Sequence, residues 1–141
     1  MLINKEKIKI GITDIALLVV SLLFVIGIFC IFPSCPAKED GAYMTCHWAG
    51  TIIEALALLS LALSVAHLVL ANRMAKAGLS VGITGVAVLA AIVPNHIVSL
   101  CMMHTMACHA RMTPGAIAVA SVLAACAAFD FILNYRKGRQ Q

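Results

Sequence analysis

The sequence predicts an all-α membrane protein, four transmembrane helices in an up-down bundle with both termini in the cytoplasm. Three observations carry that prediction. The 141 residues are 62% hydrophobic and 11% charged, with a mean hydropathy of +1.02, too few charges to coat a soluble core of this size. Four apolar runs each reach bilayer length, about 20 residues. The Lys and Arg residues are also placed unevenly along the chain. Lys5, Lys7, Lys9, Arg73, Lys76, Arg136, Lys137 and Arg139 lie in the amino terminus, one turn and the tail, against Lys38 and Arg111 in the two remaining loops. The positive-inside rule then places those two loops outside. The net charge of +4 sits in these short clusters, so it speaks of membrane orientation and excludes a nucleic-acid-binding role.

The whole chain, 1–141, reads as a single transmembrane domain. Its first span, 12–32, follows three lysines and resembles a signal peptide in layout. Its length and the lack of a small-residue cleavage site argue for a retained helix. Phe29 directly before Cys30 rules out lipoprotein processing. The outer loop 33–47 leads into span two, 48–71, with Glu54 inside it. A tight turn from Asn72 to Gly78 is expected to carry Arg73 and Lys76. Span three, 79–102, is interrupted by Pro94-Asn95-His96; the outer loop 103–113 follows, and Pro114 suits the first turn of span four, 114–135. Tyr43 and Trp48 fit an outer interfacial belt and Tyr135 an inner one.

Close packing is expected from small residues: Ala116, Ala120, Ala124 and Ala128 on span four, and Gly78, Gly82 and Gly85 on span three. The two halves are hairpins of the same sense, each with Met-x-Cys-His in its outer loop (44–47 and 106–109). That suggests two parallel repeats about an axis along the membrane normal.

The richest stretch is Cys101 to Met112, CMMHTMACHARM. Oxidation outside a cytoplasmic membrane makes two structural disulfides the first reading of Cys35, Cys46, Cys101 and Cys108. Three connectivities are open and the sequence does not choose among them. Cys30 and Cys126 are left over as thiols. The second reading is a soft-metal site at Met44, His47, Met106 and His109, or haem b held by two of His47, His96 and His109. Thioether, thiolate and imidazole suit Cu(I), and two histidines can hold haem b. No CxxCH spacing points to covalent haem. A membrane thiol–disulfide oxidoreductase is the third reading, weakened because no CxxC is present to depress a thiol pKa. No Ser/His/Asp arrangement or phosphate-cradling glycine loop offers another enzyme.

Ionisable residues within the spans fall into two layers. Glu54 and His96 each lie roughly 9 Å below the outer boundary and are expected to face each other near Pro94, as a structural pair or a working site. Asp14, His67 and Asp130 fall near the inner boundary and read as structural pairing.

Phe32-Pro33-x-Cys35, Met44-x-Cys46-His47-Trp48 and the Cys101–His109 segment resemble an uncharacterised family of small bacterial four-helix membrane proteins, a domain of unknown function. The resemblance implies a non-enzymatic accessory or sensing subunit of an ABC-type exporter in the cell membrane. Its partners would be the bilayer and a transporter permease or further copies of itself. Copper or haem handling and thiol oxidation are the alternatives.

Overall fold

Four helices, each with one inward stripe, build the molecule in this computed structural model, which describes residues 11–31, 40–43, 45–98 and 108–140, the backbone alone at 46, 95, 108 and 109. Helix α1 (Ile12–Ile26) ends in a π-helical turn (Gly27–Ile31); α2 spans Thr45–Val69. Helix α3 (Arg73–Ile92) also runs into a π-helical turn (Val93–Ile97). A third such turn (Cys108–Met112) opens α4 (Thr113–Arg139). All four are long and apolar enough to cross a membrane. Contacts run α1–α2, α2–α3, α3–α4 and α4–α1, the α3–α4 seam being the most extensive. This is the closed ring of an up-down bundle.

The stripes have coiled-coil spacing. Buried positions are Asp14, Leu17, Ser21 and Phe24 on α1, and Ala49, Ile53, Ala57, Ser60, Ser64 and His67 on α2. On α4 they are Ala116, Ala120, Leu123, Ala127, Asp130 and Asn134. Steps of three and four keep each set on one side of a helix with 3.6 residues per turn. About a third of each span is enclosed (33% for α1 and α3, 28% for α2 and α4), and the remaining faces are apolar, as lipid contact requires.

Small residues do pack the bundle core, though not all of those expected. Ala116 and Ala120 are buried, as are Ala87 and Ala90 on α3. Ala128 and the three glycines Gly78, Gly82 and Gly85 face outward. A Cβ at Gly78 or Gly85 would meet nothing within 4 Å. These glycines therefore do not set the approach of α3 to its neighbours.

The turn between α2 and α3 is shorter than 72–78. Asn72 caps α3, its side-chain oxygen accepting the Met74 N–H at 3.0 Å. Arg73 and Lys76 consequently lie within the helix, and Lys76 is buried, with 5% of its surface exposed. At the other end of α3, Pro94 has no N–H to give the Ala90 carbonyl. The chain widens there, and the Val98 N–H bonds the Val93 carbonyl five residues back at 3.2 Å.

Candidate functional site

The core is polar at one end. Near the termini, all four helices contribute side chains to a single buried network. Asp14 stands in the first turn of α1, where its carboxylate Oδ2 accepts the Gly11 N–H at 3.0 Å and meets the helix dipole favourably. The same oxygen takes the Lys76 ammonium from α3 at 2.5 Å. His67, fully buried in the last turn of α2, lies between two carboxylates. Its Nε2 is 2.8 Å from Asp130 Oδ2, and its Nδ1 is 3.5 Å from Asp14 Oδ1.

Asp130 comes from α4 and is also fully buried. Its Oδ2 accepts from Ser80 Oγ at 2.6 Å and from Asn134 Nδ2 at 2.9 Å. Ser80 Oγ lies 3.2 Å from His67 Nε2 as well. Oδ2 of Asp130 is an acceptor only, so its 2.8 Å contact assigns the proton of a neutral imidazole to Nε2. The Nδ1 lone pair of that tautomer points toward another acceptor, Asp14 Oδ1. Two buried atoms, His67 Nδ1 and Asp130 Oδ1, have no hydrogen-bond partner, an arrangement that costs stability unless something answers it.

A serine layer continues the polar strip toward the bundle centre. Ser21 Oγ and Ser64 Oγ are 2.7 Å apart across α1 and α2. The Ser64 hydroxyl is also within 2.9 Å of the Ser60 carbonyl, and Ser60 donates to the Ala57 carbonyl at 2.7 Å. Hydroxyls that fall back on their own helix need no aqueous partner.

The residues singled out in the sequence fare differently. Asp14, His67 and Asp130 converge, and each offers a donor atom within 4.8 Å of the others. Lys76, Ser80 and Asn134 join them without having been singled out. The signal for Ser80 and Asn134 was their phase: Ser80 is four residues after Lys76, and Asn134 four after Asp130, on the same face. Glu54 is half-buried and His96 exposed, and among the described residues no hydrogen bond or ion pair joins them. Glu54 follows Ile53, which is fully buried, so it is rotated about 100° off the inward stripe. The π-helical turn at Pro94 moves His96 out of the phase an uninterrupted helix would give it.

At the opposite end of the bundle His47 stacks on Tyr43 (ring centroids 4.4 Å apart, planes at 21°) and meets the edge of Trp48 at 6.2 Å. Cys35, Met44, Cys101 and Met106 lie outside the described residues, as do the side chains of Cys46, Cys108 and His109. Cys30 and Cys126 are free thiols.

An all-helical bundle with four membrane-length helices and a charged network closed inside it defines a small multi-pass membrane protein. The chain belongs to the family described as domain of unknown function DUF4418, whose model matches residues 17–133. No curated protein and no solved structure matches it.

Proposed function

We propose that this protein is a small accessory or sensing subunit of a membrane transport system, of the ABC-type export class, and that its responsive element is the Asp14–His67–Lys76–Asp130 network. The export class comes from the resemblance carried by the two cysteine loops. One observation supports the responsive role. Four helices from both halves of the chain aim ionisable groups at one sealed point, yet leave His67 Nδ1, which faces the Asp14 carboxylate, and Asp130 Oδ1 without a hydrogen bond. Ionisable groups inside a membrane are costly, and packed apolar residues would fasten four helices at least as well. A network kept in spite of that cost, and incompletely satisfied, suits a site that changes occupancy. In this reading both termini face the cytoplasm, and Cys35, Cys46, Cys101 and Cys108 staple an extracytoplasmic cap.

The test is chemical cross-linking in native membranes followed by mass spectrometry. The subunit reading expects cross-links from this chain to an ABC permease, with Asp130→Asn cross-linking equally well while altering transport. Recovery of the chain linked to itself alone would end the accessory reading.

A further inference from the structure

We infer that Asp14 and His67 form a binding site for a divalent first-row transition cation of the zinc class, with Asp130 as the positioning residue and Lys76 as a tethered cation that the metal displaces. The inference rests on the reading of this network as the responsive element and names its ligand.

The geometry begins at His67. Its Nε2 faces the carboxylate Oδ2 of Asp130 at 2.8 Å, so in the neutral ring Nε2 carries the proton and Nδ1 is bare. A carboxylate that fixes the far nitrogen of an imidazole is the usual support of a metal-binding histidine; it sets the tautomer and raises ligand basicity. On the bare side, Nδ1 and Asp14 Oδ1 are 3.5 Å apart. Two ligands on a tetrahedral zinc, with bonds of about 2.0–2.1 Å, sit about 3.3 Å from one another. The two acceptors thus already stand at the separation a shared cation would impose, and Nδ1 has no hydrogen-bond partner.

The donor set chooses the metal class. One imidazole with carboxylate oxygen, and no sulfur in the group, suits zinc, iron or manganese better than Cu(I).

Charge explains the lysine. Asp14 and Asp130 contribute two negative charges and Lys76 one positive charge, so the network with neutral His67 carries −1. A divalent ion added to this would leave +1 in a low-dielectric site, which is unfavourable. With the Lys76 ammonium withdrawn, −2 and +2 cancel. Lys76 lies four residues from the Asn72 cap, about 6 Å along the axis, within reach of the lipid–water boundary for a side chain that can extend along apolar surface. Metal entry and lysine exit are thereby one exchange.

The experiment uses the full chain in lipid nanodiscs, stripped with chelator and titrated with Co2+ and then Zn2+. The expected result is one Co2+ per chain with ligand-field absorption of an oxygen and nitrogen site and no thiolate charge-transfer band. Asp14→Asn and His67→Gln should abolish it, and Asp130→Asn should weaken it by about 10–100-fold. Lys76→Gln should tighten binding several-fold, the opposite of what a merely structural lysine would do. Should the Asp14 or His67 variants fail to fold, the Lys76→Gln titration decides alone, and Zn2+ should raise that variant's melting temperature more than the wild type's. A thiolate band, binding unchanged by Asp14→Asn and His67→Gln in folded protein, or no tightening in Lys76→Gln would each overturn the site. None of these outcomes touches the cross-linking result, so the accessory reading stands or falls separately.

Discussion

Both ends of the bundle carry intramembrane ionisable residues, four at the termini end and two at the loop end, and treat them differently. At the termini end, Asp14, His67, Lys76 and Asp130 come from four different helices and close into one network. At the cysteine-loop end Glu54 is half-buried and His96 exposed, and among the described residues no hydrogen bond or ion pair joins them. Depth alone therefore does not make a pair. What decides is helical phase: His67 continues the stripe of Ile53, Ala57, Ser60 and Ser64, while Glu54 sits one residue off it. The π-helical turns contribute too, since those at Gly27–Ile31, Val93–Ile97 and Cys108–Met112 all lie at the loop end, where an inserted residue shifts the side chains that follow. Helices near the termini keep their register and can aim four groups at one point.

The sharpest way to break this comparison is Asp130→Ala. It strips His67, Ser80 and Asn134 of a shared acceptor, and a buried donor left unpaired costs about 1–3 kcal/mol. Denaturant unfolding in mixed micelles should show a loss of that size. A loss under about 1 kcal/mol would mean that water already reaches the network.

The second change removes the whole network. Replacing Asp14, His67, Lys76 and Asp130 together with apolar residues of similar shape is expected to leave stability unchanged or raised by about 1–4 kcal/mol. Any role in transport should be lost with it. A combined variant that folds and still supports export would return the network to a purely structural role.

A smaller effect belongs to the serine layer between the two ends. A double-mutant cycle on Ser21 and Ser64, 2.7 Å apart, should give a coupling of about 0.6 kcal/mol, the average for hydrogen bonds within membrane bundles. A coupling of several kcal/mol would extend the rigid network to the middle of the membrane.

The smallest expected effect is at the loop end. Glu54→Gln and His96→Gln should each change stability by less than about 0.5 kcal/mol, as substitutions away from buried networks do, and their effects should add. Strong non-additivity in the cycle would show that the two residues do meet, and the contrast between the ends would fail.

Much of this was legible in the residues themselves. Composition and run length dictate four membrane helices, because a bilayer-thick apolar stretch must satisfy its own backbone. The structure holds four helices of membrane length among the described residues. Asp14, His67 and Asp130 stood out because ions in such stretches are rare, and their common depth followed from counting residues. Lys76 was masked by its neighbourhood. Next to Arg73 in a polar stretch it reads as a turn charge, and only the Asn72 cap, which starts α3 early, carries it inside. The 3.5 Å facing of His67 Nδ1 and Asp14 Oδ1 had no counterpart in the sequence at all. Hydropathy fixes how deep a residue lies, because the membrane imposes a single axis. Rotation about each helix is set by packing against three others, and that was decided by the assembled bundle.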